Sequence, residues 1–582
     1  MFLKKSLSKP SGKTQLSIVK KVRNPITGAP KDTVIKSLGY LEDYSDKYDD
    51  PIAHFKEVAK KMTEEEKASR SVSLVLDMDE RLPPNSASRK NLGYAAILKF
   101  YHEMELDRFF NNKARRQGFE YNTNAIMTLL VVSRLLSPGS KIKAYNEKER
   151  YFERFDFAGH DMYRSLSHFA AVATDAQRHM NERIRACYGR DTSTTYYDVT
   201  NFYFTTDKED SLRKRGVSKE CKRKPIVQMG LAMDANGIPL HYELFEGNTL
   251  DKQTFRSVIG EVRRNYDTGR IIVVADMGVI TGDNIFYLVG GEKRPKPLNG
   301  YVLSFSVRGG AAKFKNYVLS PEGYRDNDGN TPDADAEFMI KSRRVARDIN
   351  VTMDSGKIEK KTVYEKQVVF WSKKYADRAK AERYAVVLKA ASLVSDPGKY
   401  NKSTAHGAAK YVKNIDYDKK TGEVINTGKA LSLDEDKIRD EEKYDGYYSI
   451  VTSELGMSDD EIIDTYRGLW EIEETFKITK DTLEARPVYA SLKESIEAHF
   501  LSCFIALVII RLLQKQAGAR FSCDKIVECL NNISCSHEQE NLYLFDYRSE
   551  ISDAIGKAVG IDFTKKRLSL AEIKNILANS KR

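Results

Sequence analysis

The segment from Thr194 to Thr200 reads Thr-Thr-Tyr-Tyr-Asp-Val-Thr, and it decides the fold of the central part of the chain. Its β-branched and aromatic residues are typical of a strand that ends in a carboxylate, Asp198. A second run, Ile271 to Ala275, is wholly apolar and continues directly into Asp276. Side chains at the tips of adjacent buried strands lie together, so the two aspartates would need a cation between them. The alternative is that each aspartate begins a turn or caps the next helix.

Strands and helices alternate around these two aspartates. Ile226 to Met233 and Ile238 to Phe245 form a predicted hairpin, because Asp234 to Gly237 is a turn sequence. A helix is expected over Asp251 to Asn265, and a further buried strand over Tyr301 to Val307. This order predicts an α/β fold with a mixed sheet.

The length of the chain, 582 residues, indicates three or four domains at ~150 residues each. We predict six segments from changes in composition and periodicity. They are a basic β-rich region (1–70), a helical DNA-binding or linker region (71–190), a first core part (191–308), a mostly β insertion (309–443), a second core part (444–515) and a C-terminal helical region (516–582).

Composition excludes several classes of protein. The six cysteines are too few and too scattered for a secreted disulfide scaffold. The longest apolar stretch, Phe500 to Ile510, is about half the ~20 residues of a membrane-spanning helix, so we expect a buried core helix there. No signal peptide is visible at the N-terminus. We therefore expect a soluble protein of a reducing compartment.

Basic residues are clustered in a chain with a net charge of +12. Residues 1–24 contain no acid and seven cations: Lys4, Lys5, Lys9, Lys13, Lys20, Lys21 and Arg23. A second basic cluster lies within residues 213–224, where Glu220 is the one acidic residue. Its cations are Arg213, Lys214, Arg215, Lys219, Lys222, Arg223 and Lys224. Either cluster alone could be an ordinary solvated surface. The presence of both favours contact with the phosphates of nucleic acid.

A third carboxylate stands in a long helix predicted to begin at a capping box, Ser458 to Glu461, and to end at Pro487. Helical spacing places Glu473 on one face with Tyr466, Leu469, Trp470, Phe476, Lys477 and Lys480. Glu471 and Glu474 rotate away from that face and are expected to be solvated. A glutamate among core residue types needs a metal or a cation such as Lys477 as its partner.

The run from Tyr466 to Lys480 resembles the Tyr-x2-Arg-x3-Glu-x6-Lys signature of bacterial DDE insertion-sequence transposases. Tyr466, Glu473 and Lys480 match its spacing, whereas the arginine position holds Leu469 and the nearest arginine is Arg467. The segments around Asp198 and Asp276 are similar to the two aspartate motifs of that family. The order of two aspartates, a long insertion and a helical glutamate agrees over residues 190–515.

The resemblance implies an RNase H-like core in which Asp198, Asp276 and Glu473 are catalytic and bind two Mg²⁺ ions, for which Mn²⁺ could substitute. It also implies that the protein binds the terminal inverted repeats of an element as a homodimer, cleaves them and joins the 3′ ends to target DNA. Tyr466 and Lys480 would hold the DNA end, with Arg467 in place of the missing arginine and Lys477 on the same face. Trp371 would stack on a flipped base, although it also fits an ordinary strand.

Two other functions remain open on the sequence alone. A metal-dependent nuclease would have the same core without strand transfer, and a silent DNA-binding derivative would be consistent with Leu469. The Cys523, Cys529, Cys535 and His537 group contains no Cys-x2-Cys pair, so buried free thiols are favoured over a zinc site. A cytoplasmic, nucleoid-associated location in a bacterium or archaeon accords with the resemblance.

Overall fold

The structure is a computed structural model, and the chain forms two compact units, Met1–Ser86 and Ala87–Arg582. The residues it describes are 1–7, 12–23, 30–68, 79, 81, 84, 86, 89–216, 224–266, 268–291, 298–333, 335–353, 355–395, 407–413, 416–417, 424–426, 431–538 and 541–582.

The N-terminal unit is an antiparallel sheet of order β1-β2-β3 with one helix. Its elements are β1 (Phe2–Leu7), β2 (Thr14–Arg23), β3 (Pro30–Tyr40) and α1 (Pro51–Ala68). Leu16, Ile18 and Val19 of β2 are fully buried. Lys4 of β1 forms a 2.9 Å salt bridge with Asp32 of β3, so one of the basic residues of this segment has an acidic partner. Lys9 lies outside the described residues.

The larger unit begins with a short strand and a helical region, as the sequence predicts for this part of the chain. The elements are β4 (Lys90–Asn91), α2 (Tyr94–Glu103), α3 (Leu106–Arg115), α4 (Thr123–Leu136), α5 (Lys141–Asn146), α6 (Gly159–Ala171) and α7 (Ala173–Tyr188). Asn122 caps α4 and Ser140 caps α5, each by accepting a hydrogen bond from a backbone amide of the first turn.

A large sheet with its flanking helices follows. Its elements are β5 (Thr194–Tyr203), β6 (Ile226–Met233), β7 (Pro239–Glu246), α8 (Asp251–Asn265), β8 (Ile272–Ala275), α9 (Gly282–Val289), β9 (Gly300–Ser304), α10 (Ala312–Leu319), β10 (Phe338–Thr352), β11 (Ile358–Ser372), α11 (Lys373–Ser395), β12 (Val412–Lys413), β13 (Asp416–Tyr417), β14 (Val424–Asn426), β15 (Ser432–Leu433), α12 (Glu435–Glu442) and β16 (Tyr447–Thr452).

The sheet has eight strands in the order β10-β11-β16-β9-β8-β5-β6-β7. Strands β5, β8 and β9 are parallel, whereas β6 and β7 form an antiparallel hairpin on β5. The predicted α/β class with a mixed sheet is therefore confirmed. The long strand β10 pairs with β11, and β11 pairs with β16, so both strands extend this sheet and do not form a separate β domain.

The chain ends in helices and a second, smaller sheet. The remaining elements are α13 (Asp459–Arg467), α14 (Trp470–Lys477), α15 (Lys493–Ala517), α16 (Cys523–Asn532), β17 (Ser534–His537), β18 (Leu542–Phe545), α17 (Glu550–Val559), β19 (Arg567–Ser569) and α18 (Leu570–Ser580). Strands β17, β18 and β19 pair with β4 in the order β19-β18-β17-β4, so the C-terminal region is not wholly helical as predicted.

Two hydrophobic cores cover the two faces of the large sheet. One combines α2, α4, α6 and α15 with residues such as Tyr196 and Val274, and the other combines α8 and α9 with Tyr197 and Ala275. Helix α15 has the length and apolar composition of a membrane span, yet 94% of its apolar window is buried inside the protein. The sequence prediction of a core helix there is confirmed.

Candidate active site

Asp198 and Asp276 occupy neighbouring positions on adjacent parallel strands. Tyr197 of β5 is paired with Ala275 of β8, and the same register continued by one residue sets Asp198 beside Asp276. Side chains alternate between faces along a strand, so both aspartates belong to the face of Tyr196 and Val274. Asp276 directly follows the end of β8 as predicted, whereas Asp198 lies inside β5, five residues before Tyr203, so the prediction that Asp198 ends its strand is wrong.

Asp276 also has the local role that its position after a strand favours. Its Oδ1 accepts a 2.7 Å hydrogen bond from the amide of Met277, in the cap of a short 3₁₀ turn. The same oxygen accepts a hydrogen bond from the hydroxyl of Ser304 at 2.6 Å and another from the hydroxyl of Tyr466 at 3.4 Å. Tyr466 therefore ties α13 to the end of β8.

Tyr466 lies between Asp276 and Glu473. Burial is the main cause that raises the pKa of the Tyr466 phenol, and the negative charges of Asp276 and Glu473 raise the pKa further. Tyr466 consequently stays protonated and can donate its hydroxyl to an oxygen at this edge of the sheet.

The predicted single helix is interrupted at Gly468 and Leu469, between α13 and α14. The hydroxyl of Tyr196 on β5 occupies the position that a Cβ of residue 468 would need. Glycine therefore allows the helix pair to approach the strand directly beside Asp198. After α14 the chain continues as a π-helical turn, Ile478–Thr482.

Helix α14 presents its three glutamates differently from the prediction. Glu473 is exposed, whereas Glu471 and Glu474 are half-buried. The predicted solvation of Glu471 and Glu474 is wrong, because both bind the buried guanidinium of Arg511 on α15, at 3.1 and 3.2 Å. Trp470 is also 58% exposed, so the stripe that contains Glu473 is not the core face of this helix.

Arg511 fixes the rotation of α14. It is 7% exposed, and its Nε donates to the carbonyl of Gly237 in the β6–β7 turn at 3.2 Å. Burial raises the pKa of Glu471, while the Arg511 guanidinium acts in the opposite direction. With Glu471 and Glu474 held inward, Glu473 points outward on the side of Tyr466.

A cavity of about 340 Å³ lies between β5 and the connection from β7 to α8, and its lining residues do not include Asp198 or Asp276. Val199, which directly follows Asp198, and Gly278, which lies two residues after Asp276, both form part of its wall. The polar residues that line this cavity are Thr200, Asn201, Gln228, Asn248, Thr249, Asp251 and Lys252. Sequence reasoning missed these residues, although the polar run from Asn248 to Lys252 between a strand and a helix was a visible signal.

The donor set suits a hard cation. Asp198, Asp276 and Glu473 offer only carboxylate oxygens, which Mg²⁺ and Mn²⁺ prefer. Within the described ranges, however, no three His, Cys, Asp or Glu side chains are gathered closely enough to hold a metal ion. The ligand types fit, and two of the three carboxylates are adjacent. The described cysteines of the C-terminal group, Cys523, Cys529 and Cys535, are free and buried.

The other predicted DNA contacts lie in different surroundings. Arg467 is exposed and bonded to Asp464 at 3.0 Å, and Lys477 is exposed. The ammonium of Lys480 lies 5.8 Å from the ring centroid of Phe202 at the end of β5. Trp371 is half-buried on β11, where its indole donates to the carbonyl of Asp445 at 3.0 Å. These cations therefore differ in exposure: Arg467 and Lys477 are exposed, and Lys480 is half-buried.

The second basic cluster is only partly described. Lys219, Lys222 and Arg223 lie outside the described residues. Lys214 is half-buried, and Arg215 is exposed. Arg213 is 8% exposed and pairs with Asp210, and Lys224 pairs with Asp207. Acidic residues just before the cluster therefore offset part of its charge.

Comparison with family models matches residues 3–72 to the IS1634 family transposase, N-terminal domain. No curated protein matches the chain. The match covers most of the N-terminal unit and supports an insertion-sequence transposase.

Proposed function

We propose that this protein is a DDE transposase that cleaves the ends of a DNA element and joins them to target DNA. The observation that supports the proposal best is the parallel pairing of β5 with β8, because its register continued by one residue brings Asp198 level with Asp276, to which the Tyr466 hydroxyl donates. The family match at residues 3–72 supports a transposase independently, because it lies outside the segment that contains the two aspartates.

The strand order supports an RNase H-like core for this enzyme. Reading outward from the hairpin, the order is β7-β6-β5-β8-β9, with two antiparallel strands followed by parallel neighbours. A core of this kind supplies carboxylates from two central strands and from a later helix. Asp198, Asp276 and Glu473 occupy those three places in the proposal.

Asp198, Asp276 and Glu473 would hold Mg²⁺, or Mn²⁺ in its place. When bound, the metal would lower the pKa of water and offset charge on the phosphate under attack. The protein's own contribution is positional. Tyr466 donates a hydrogen bond at the edge of the sheet, and Arg511 holds α14 so that Glu473 faces the DNA.

DNA binding follows from the cations around this edge. Lys477, Lys480 and Arg467 would contact the backbone of the element end, because each is a long cation on the surface of α13, α14 or the π-helical turn. The 213–224 segment and the N-terminal unit would bind flanking duplex in the inverted repeats. Trp371 would serve as a stacking residue only after releasing the Asp445 carbonyl. Two such ends require a homodimer on DNA.

The test is single-turnover cleavage of the DNA that flanks the coding region, with Mg²⁺ present. Asp198→Asn, Asp276→Asn and Glu473→Gln should each lower cleavage by several orders of magnitude while DNA affinity stays within about threefold, since the amides keep shape and lose only charge. Cleavage by any of these variants near the wild-type rate would refute the site.

A strand-transfer assay on supercoiled plasmid separates the transposase from its alternatives. Joining of cleaved 3′ ends is the expected result. Cleavage without joining would identify a nuclease, and binding without cleavage would identify a silent derivative.

A further inference from the structure

A second cavity, of about 320 Å³, lies where α4, α5, α6 and α15 meet the segment after the π-helical turn. Its volume is within the range of small-ligand sites. The charged or titratable side chains that line it are Arg134, Lys141, Glu484, Arg486 and His499. Four of these are permanent or potential cations, and Glu484 is the one acid among the described lining residues.

Arg134 carries a buried charge that no acidic side chain among the described residues pairs with. It is 7% exposed, and its two Nη atoms donate to the backbone carbonyls of Leu483 and Gly139 at 3.3 and 3.2 Å. Its Nε has no hydrogen-bond partner. Carbonyl dipoles orient a guanidinium but do not neutralise it, and a buried charge normally requires a counter-ion.

Lys141 adds a second cation beside Arg134. Among the described residues none forms a salt bridge with its ammonium group. Burial is the main cause that lowers the pKa of Lys141 to about 8, and the charge of Arg134 lowers it further. Burial is the main cause that holds the pKa of His499 well below its ordinary value, and the charges of Arg134 and Lys141 lower this pKa further. The imidazole is therefore neutral. The cavity thus has a positive potential that the protein leaves uncompensated.

The cavity is also connected to the surface that carries the proposed active site. The amide of Val488, between the wall residues Pro487 and Tyr489, donates to the carbonyl of Tyr203 at the end of β5 at 3.1 Å. Arg213, the first residue of the basic cluster, donates to the carbonyl of Ser491 in the same wall at 2.9 Å. Tyr203 is five residues beyond Asp198, a distance of about 17 Å at ~3.3 Å per residue.

Exposed aromatic and apolar side chains surround the mouth. Tyr163 and Tyr489 are 48% and 72% exposed, and Leu492 is 65% exposed. Glu484 at the mouth has a left-handed backbone, with φ of 43°, which a non-glycine residue adopts only under constraint. A cationic interior with phenolic hydroxyls at its entrance suits an anion that arrives on a larger, partly apolar molecule.

We infer that this cavity binds a backbone phosphate of the DNA strand, with Arg134 and Lys141 as the anion-binding pair. The inference rests on the proposed function only in taking DNA as the molecule that carries the phosphate. Phosphate neutralises both cations, which no described side chain does.

The first test uses Lys141→Met, with Lys143→Met as the matched control. Lys143 lies on the same helix, but it is exposed and already donates to the carbonyl of Pro138 at 3.0 Å. Without DNA, Lys141→Met should raise the melting temperature, because it removes a cation buried without a partner, and the control should not. A lower melting temperature for Lys141→Met would show a purely structural lysine and overturn the inference.

The second test measures affinity for duplex DNA as a function of salt. Removing one phosphate contact should lower the slope of log affinity against log salt by about 0.9 and weaken binding about tenfold at low salt. Lys143→Met should change both by less than half as much. Equal effects of the two variants would mean general attraction to a basic surface and would overturn a specific site.

The third test locates the phosphate with duplexes that each carry one neutral methylphosphonate. Wild-type protein should lose affinity at one defined phosphate position, and Lys141→Met should be insensitive at that position. Equal sensitivity of both proteins at every position would overturn the assignment. Thermal stabilisation of the wild type by inorganic phosphate, without any position-specific DNA effect, would identify a free-phosphate site and would also overturn it.

The outcome is separable from that of the proposed function. Cleavage by wild-type protein with no difference between Lys141→Met and its control would reject the cavity alone. A specific loss of DNA contact in Lys141→Met, in a protein that never cleaves, would keep the cavity and reject the transposase.

Discussion

At the scale of single residues, the three glutamates of α14 have different partners within four positions. Glu473 is exposed beside Tyr466, whereas Glu471 and Glu474 bind Arg511. One helix therefore separates a carboxylate available to a ligand from two that hold the helix in place.

We expect Glu471→Gln and Glu474→Gln each to lower the free energy of unfolding by about 1–3 kcal/mol, since each removes a partner of a buried guanidinium. Glu473→Gln should leave stability unchanged in metal-free buffer, because its carboxylate is exposed. Urea unfolding of the three variants measures this. If all three variants unfolded at the wild-type midpoint, Arg511 would not hold α14 through these glutamates.

Helical periodicity could predict that Glu473 faces a different way from its two neighbours, but not which way is inward. The deciding residue is Arg511, about forty positions later, and its pairing with α14 depends on how α15 packs. The periodic pattern contained Leu469 and Phe476, both buried, together with Trp470, which is exposed, so composition alone favoured the wrong face as core. The apolar run that ends at Ala275 correctly placed Asp276 directly after a strand, but no local signal showed that β5 continues five residues beyond Asp198.

At the scale of elements, the junction of α13 and α14 is the feature that sets the helix pair against β5. Its glycine is required by a neighbour in space, the Tyr196 hydroxyl, and not by a turn signal. For that reason the sequence predicted one continuous helix. The same limitation applies to β11, whose pairing with β16 across 75 or more residues has no local sequence signal.

Gly468→Ala should lower the free energy of unfolding by about 1–3 kcal/mol, because the added methyl group must displace Tyr196 or the helix pair. If the displacement carries Glu473 away from Asp276, Mg²⁺-dependent cleavage should fall more than stability does. Thermal unfolding and single-turnover cleavage are the two measurements.

The matched control is Gly456→Ala, because a Cβ at residue 456 meets no atom within 4 Å. Similar losses in both alanine variants would mean that backbone freedom matters and that contact with Tyr196 does not.

At the scale of the whole molecule, the large sheet separates two cores, and the charged groups enclosed by those cores determine how stability depends on pH. His241 of β7 is 3% exposed, with Nδ1 at 3.0 Å from the hydroxyl of Tyr266. Its Nε2 has no partner. Burial lowers the pKa of His241 to about 4, even though the charge of Glu261 acts in the opposite direction.

The direction of the pH effect follows from this lowered pKa. An unfolded histidine has a pKa of about 6.5, so between pH 6.5 and 4 the unfolded chain binds a proton that the folded chain does not. The free energy of unfolding should therefore fall as pH decreases through this range, by at most about 3 kcal/mol from His241 at ~1.4 kcal/mol per pH unit.

His241→Asn keeps a hydrogen-bonding group near Nδ1 and cannot titrate, so its stability should depend less on pH between 4 and 6.5. Urea midpoints across that range measure the difference, with His160→Asn, a largely exposed histidine, as the control that should follow the wild-type curve. Parallel curves for wild type and His241→Asn would show that His241 does not stay neutral in the folded protein.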